Sequence, residues 1–322
     1  MRRDDWKRAA VFVLAGLMLS GSASALFGKK TEPAVEGAPV VRDLTITTYR
    51  GIPYSGRFVA SDGEGEDLTF ALVDESRKGT VSIDGVNFTY TPKEGAAGGD
   101  SFTYTATDST GKVSLPATVT VTIQKTRSGV TYADTDAKSA YAAQCMAEEG
   151  IFTGAKIGGQ YYFEPDRTVS RSEFLAMTME MSGRDVTAVT MTGFADDEAI
   201  PTWAKAYAAA GVADGIVQGS ATAEGAAFRS DEPITVSEAA AVLDRVLKIE
   251  NVDLEVWYEG REEVPAWAAQ AVGNMEAVSV LEAGSFESGA LSQEVNRADA
   301  AQMLLSARTL LKGERDPFDW LK

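Results

Sequence analysis

Two hydrophobic periods divide this chain. Between Val40 and about Ile123, apolar and polar positions alternate: Val119, Val121 and Ile123 against Thr118, Thr120 and Thr122, and Phe102 and Tyr104 against Thr103 and Thr105. A period of two sends successive side chains to opposite faces of a strand. Phe88-Thr89-Tyr90-Thr91-Pro92 reads as another strand, closed by a proline that has no amide to give a ladder. Turn-forming clusters at 61–66, 93–100 and 108–112 separate these runs. Residues 40–124 therefore predict an antiparallel, all-β sandwich.

Beyond residue 130 the period becomes helical. Ala300, Met303, Leu304, Ala307 and Leu311 fall on one face, as do Leu243, Val246 and Leu247. A polar box opens each such helix: Ser170 with Glu173, Thr235 with Glu238, and Asn296 with Asp299. The first side chain of a box accepts from an amide of the first turn, and the acid three residues later bonds back to the cap amide. These six residues are read as structural helix caps. The box acids are spaced by 65 and 61 residues, which marks a repeat. One helix pair is too small to bury its own apolar stripe, so three copies sharing one core predict an all-α, pseudo-threefold bundle. The chain is thus multidomain, a sandwich followed by a bundle.

Further landmarks keep register with the boxes. Copy one has Tyr132 and Asp134, Gly150-Ile151, Gly154, Phe163 and Pro165; copy two has Phe194 and Asp196, Trp203-Ala204, Gly215-Ile216, Gly219 and Phe228. Copy three retains Trp267-Ala268, Ser279-Val280 and Leu291. Together they resemble the S-layer homology (SLH) family, whose repeat runs Phe-x-Asp, Trp-Ala, Gly-Ile, Phe-x-Pro and Thr-Arg-Ala-Glu. The repeats would occupy 130–184, 192–249 and 254–311, with a tail at 312–322. The resemblance implies noncovalent anchoring to a bacterial cell wall through a secondary, pyruvylated wall polysaccharide held in grooves between repeats. It makes the box arginines, Arg171 and Arg297, the glycan contacts, a planar guanidinium gripping a carboxylate through two parallel hydrogen bonds. Val236 stands at that place in copy two, so one or two working grooves are expected. Trp203 and Trp267 either stack on sugar faces or fill the bundle. Gly79-Thr80-Val81, the strand at 88–92 and Gly99 to Tyr104 similarly resemble bacterial cadherin-like, immunoglobulin-like repeats, which implies an immunoglobulin-like sandwich serving as a spacer or adhesive module.

The amino terminus bears on location. Arg2, Arg3, Lys7 and Arg8 precede an apolar run from Ala9 to Leu19 and a small-residue site ending in Ala23-Ser24-Ala25. This reads as a secretory signal peptide, 1–25, followed by a flexible lead-in at 26–39. The run is short for a membrane span, so no transmembrane anchor is expected. The secreted protein would then reside at the cell wall or cell surface.

Composition narrows the chemistry. The formal charge of −17 disfavours nucleic acid as a partner, and an anionic glycan would have to be captured by local arginines. The chain has no histidine, which removes His-dependent triads and His-based zinc sites. No Gly-rich phosphate loop follows a strand, and the two domains leave little room for a catalytic one, so the protein is read as a non-enzyme. Asp62, Glu64, Glu66 and Asp67 form an acidic loop suited either to calcium or, with its irregular spacing, to plain solvation; no cofactor or metal is expected. Cys145 is a lone helical cysteine, read as core filling. Three alternatives stay open: an adhesin whose sandwich binds an external ligand, a self-assembling surface-layer component that meets other surface proteins, and a peptidoglycan-binding envelope protein.

Overall fold

The structure, a computed structural model, describes residues 36–63, 67–254, 264–281 and 290–313. The expected signal peptide, most of the expected lead-in, Glu64 and Glu66 of the acidic loop, and nearly all of the tail lie outside these residues. The chain divides into two compact units, one ending at Thr126 and one beginning at Arg127.

Among the described residues the first unit contains nine strands: β1 (Val40–Val41), β2 (Leu44–Tyr49), β3 (Tyr54–Arg57), β4 (Ala60–Ser61), β5 (Thr69–Asp74), β6 (Gly79–Asp84), β7 (Asn87–Pro92), β8 (Gly98–Thr107) and β9 (Ala117–Gln124). One sheet runs β2-β9-β8-β5 and the other β3-β7-β6, with β1 paired to β4. All pairs are antiparallel except β2 with β9, which run parallel from Leu44 opposite Val119 to Tyr49 opposite Gln124. The period of two is realised in three dimensions, since Val119, Val121, Ile123, Phe102 and Tyr104 are all buried. Phe58 stacks between them, 4.2 Å from the Tyr104 ring centroid and 4.8 Å from that of Phe88. Buried tyrosines need partners for their hydroxyls. Tyr104 donates to the Arg42 and Val59 carbonyls, and Tyr90 donates to Asp100 at 2.8 Å. Burial, then the adjacent carboxylate, pushes the Tyr90 hydroxyl up.

The second unit contains α1 (Ala140–Glu148), β10 (Ala155–Ile157), β11 (Gln160–Tyr162), α2 (Arg171–Met181), α3 (Thr202–Ala213), β12 (Ser220–Thr222), β13 (Gly225–Ala227), α4 (Val236–Leu247), α5 (Ala269–Ala277) and α6 (Arg297–Leu311). It is not all-α, because antiparallel hairpins β10-β11 and β12-β13 separate the helices of copies one and two. Gly158-Gly159 at the first hairpin tip is a two-residue turn signal that the helical period hides. Gly154 and Gly219 enter the hairpins at φ 66° and 73°. A Cβ at Gly219 would stand 2.7 Å from the Phe194 ring, and one at Gly154 would press on the Tyr162 carbonyl, so only glycine fits.

Helix packing closes on itself. The second helix of each copy packs on the first of the next: α2 on α3, α4 on α5, and α6 back on α1. A continuous core of Phe163, Phe174, Leu175, Ile216, Phe228, Leu243 and Leu304 runs through all three copies. At its centre the residues just before the boxes form a ring of backbone hydrogen bonds. Val169 donates to Val295, Val295 to Ile234, and Ile234 to Val169, each at 2.9 Å.

Candidate functional site

The segments before the boxes are set by two aspartates. Asp134 accepts the Phe163 and Glu164 amides at 2.8 and 2.7 Å, and Asp196 accepts those of Phe228 and Arg229 at the same distances. Glu164 and Arg229 sit at φ 55° and 58°, a left-handed conformation that costs an L-residue roughly 1–2 kcal/mol. Each carboxylate stabilises that bend and leaves the neighbouring phenylalanine carbonyl free to accept from elsewhere.

The boxes form as caps, with one difference. Ser170 with Glu173 and Thr235 with Glu238 make both reciprocal bonds. In the third box the Asp299 amide donates to Asn296 Oδ1 at 2.8 Å, but the return bond is not made among the described residues. Aspartate is one methylene shorter than glutamate and does not reach back.

The two box arginines do not have equal access to a ligand. Arg297 is 4 % exposed; its Nη1 donates to the Phe163 carbonyl at 2.5 Å and to Glu164 at 3.0 Å, and its guanidinium lies 4.7 Å from the Phe152 ring centroid. Burial, then the nearby Arg167, presses its pKa below the usual arginine value. Arg297, expected as a glycan contact, is thus buried, with its Nη1 engaged inside the fold. Arg171 makes the corresponding bonds, Nε to the Phe228 carbonyl at 2.9 Å and Nη1 to Glu238 at 2.5 Å, but it lines an open groove.

Both tryptophans stand on the surface, Trp203 51 % and Trp267 63 % exposed, so neither fills the bundle. Each lines a groove. The Trp267 groove, of about 510 Å³, brings together Arg171, Glu238 and Arg245 with Phe228. The Trp203 groove, of about 310 Å³, contains Ser170, Glu173, Arg167 and Asp231, with Arg167 bonded to Glu173 at 2.9 Å. The start of α3, which carries Trp203, is pinned by Lys205 on Asp197 at 2.5 Å. That bond, helped by Thr192, holds the Asp197 carboxyl down at about 2.

Sequence reasoning missed Arg245 and Arg167. Arg245 lies seven residues after the box acid Glu238, two helical turns, and that spacing would have put both on one face of α4. Cys145 is buried, as expected of core filling. Among the described residues no cluster of acidic or thiol side chains is arranged to hold a metal, and no helix is long and apolar enough to cross a membrane.

Comparison with known proteins gives a family match in the first unit. Residues 36–124 match the family described as bacterial Ig domain. A stretch of 129 residues is 32% identical to the surface-layer 125 kDa protein of Lysinibacillus sphaericus, covering 38% of this chain and 10% of that protein. The chain thus spans about a tenth of the length of this curated relative. Among solved structures, an endo-fucoidan hydrolase of glycoside hydrolase family 107 aligns at 20% identity over 30% of this chain and 15% of its own, with a TM-score of 0.24. The SrpA adhesin of Streptococcus sanguinis aligns at 16% identity over 34% of this chain and 75% of its own, with a TM-score of 0.21. Scores this low carry nothing about fold or function. The strand order, the aromatic core and the family match agree that residues 36–124 form a bacterial Ig-like domain, followed in the chain by a helical unit.

Proposed function

We propose that this protein is a noncatalytic component of the bacterial cell surface, held there by its helical unit through a noncovalent grip on a wall polysaccharide. The observation that carries the reading is the Trp267 groove, where an exposed indole lines a cleft containing two arginines. Aromatic faces stack on the apolar faces of sugar rings, while guanidinium groups bond carboxylates and hydroxyls. The resemblance of the repeats to the SLH family supports the same ligand class, and the similarity to a surface-layer protein supports the location. Secretion follows from the signal-like segment at 1–25, and the Ig-like domain is the part presented outward.

Co-sedimentation of the purified protein with native cell walls, and with walls stripped of secondary polysaccharide, tests the proposal. Binding to native walls alone is expected. Equal binding to both would assign the grip to peptidoglycan, and binding to neither would remove the anchoring role in favour of self-assembly.

A further inference from the structure

Strand register sorts the charges of the Ig-like domain to its two ends. Tyr49 lies opposite Gln124, Gly98 opposite Ile123 and Gly79 opposite Pro92, so the connections after β2, β5, β7 and β9 meet at one end. There stand Arg50, Arg77, Lys78, Lys93 and Lys125, all exposed. The other end, where Leu44 meets Val119 and Thr69 meets Thr107, has Asp43, Asp62, Asp67, Asp84 and Asp108 against the cations Arg42, Arg57 and Lys112.

The basic end is fixed in shape and its charge is open. Asp100 turns its oxygens inward, accepting the Arg77 and Lys78 amides at 3.1 and 2.9 Å and the Tyr90 hydroxyl at 2.8 Å. The Lys93 amide donates to the Lys78 carbonyl, Lys78 Nζ to the Ala97 carbonyl and Lys93 Nζ to the Arg77 carbonyl, each at 2.8 Å. A carbonyl takes one of an ammonium's three donors and leaves the charge uncompensated. Glu75 and Glu94 share this end, yet among the described residues none of the five cations is within ion-pair distance of a carboxylate. In the second unit, by contrast, Arg167, Arg184, Lys205, Arg297 and Arg308 each meet one. On a chain of formal charge −17, five unpaired cations at one end of one domain are a local exception.

We infer that the basic end of the Ig-like domain is a second binding surface, for a flexible linear polymer bearing an anionic group on each repeat, phosphodiester or uronate. It is separate from the grooves of the helical unit and does not depend on what they bind. Exposed cations hold single anions weakly, and these five are spread over four connections, so a chain of repeated charges that meets several at once is the ligand that fits. A membrane surface fits less well. Membrane-binding faces set cations beside exposed apolar side chains, whereas the exposed Val40, Val59, Val113 and Leu115 stand at the acidic end.

Isothermal titration of the full chain with poly(glycerol phosphate), polygalacturonate and neutral dextran, over a series of salt concentrations, tests the assignment. At least one polyanion is expected to bind, with a log–log salt slope of about −3, and dextran is not. The polyanion bound more tightly names the source. Arg50, Arg77 and Lys125 make no side-chain bond among the described residues, so Arg50→Gln, Arg77→Gln and Lys125→Gln combined should keep the melting temperature, weaken binding about tenfold and reduce the slope by about two. Arg42→Gln, Arg57→Gln and Lys112→Gln combined remove the same charge from the acidic end and should leave binding nearly unchanged. Equal weakening by the two triple variants overturns the inference, since net charge alone would then govern binding. Failure of both polyanions to bind also overturns it, as does binding to phosphatidylglycerol vesicles alone, which would assign the surface to a membrane; none of these outcomes touches the sedimentation of the protein with cell walls.

Discussion

The Val169 amide donates to the Val295 carbonyl at 2.9 Å, joining two residues that are 126 positions apart and stand one before each of two helix caps. Ile234 completes the circuit, accepting from Val295 and donating to Val169. Backbone groups at the centre of a packed unit have to be satisfied internally, and here each copy satisfies the next. The last helix, α6, also packs on the first, α1, so no copy has an independent core.

Closure of this kind makes the helical unit all-or-none. A chain ending before residue 290 would lose α6, two of the three ring bonds and the lid over α1. Such a truncation is expected to abolish helical circular dichroism from the second unit while the Ig-like domain still melts cooperatively. A residual, cooperatively melting two-copy fragment would refute the interdependence.

Arg297 is expected to act on stability first. Arg297→Gln leaves the Phe163 carbonyl without its buried donor and the half-exposed Glu164 without its ion pair, a loss of roughly 1–3 kcal/mol. Arg171 has more solvent around it, and Arg171→Gln should cost roughly half as much. Urea denaturation of the two variants measures the difference.

Copy three keeps the helix-ending geometry of the other two without the glycine. Gly150, Gly215 and Ser279 all occupy the left-handed region, at φ 72°, 71° and 55°, and the next amide reaches back to Met146, Gly211 and Met275 respectively. Ser279→Gly should therefore stabilise the unit by roughly 0.5–1 kcal/mol, readable as a raised denaturation midpoint at unchanged slope.

Two glycines of copy one separate conformational from steric cost. Gly150→Ala meets open space and loses only the left-handed preference, about 1 kcal/mol. Gly154→Ala adds a collision with the Tyr162 backbone and is expected to cost at least about 2 kcal/mol more. Equal midpoints for the two variants would show that the β10-β11 hairpin yields.

Acid sensitivity should trace in part to Asp197. Its folded pKa, about 2, lies below the ordinary aspartate value of about 3.9 because Lys205 bonds it, so its contribution is complete above about pH 4 and disappears as pH falls towards 2. Lys205→Met removes the bond, and the stability-versus-pH curve should flatten over that window while changing less in shape above it.

What could be read from the chain was local. Alternating Val119, Val121 and Ile123 announce a strand, and Ser170 with Glu173 announces a cap, because each signal lies within a few residues of its effect. Arg297 defied such reading. Its burial depends on Phe152, Phe163 and Glu164, which lie more than 130 residues away and are brought over it only by ring closure. The tryptophans were ambiguous for the same reason, since composition cannot tell an indole in a core from one lining a cleft. The missing arginine at Val236 was visible in the sequence, whereas the meeting of Arg245 with Arg171 required knowing which faces line one groove.

The parallel pairing of β2 with β9 has a mechanical consequence. The strand near the start of the Ig-like domain and the strand that ends it point the same way, over six paired positions. Tension drawn in at Leu44 and out at Gln124 pulls these neighbours past each other lengthwise, so their cross-links are loaded together in shear instead of parting one at a time like a zipper. The domain is thereby built to bear load along the chain.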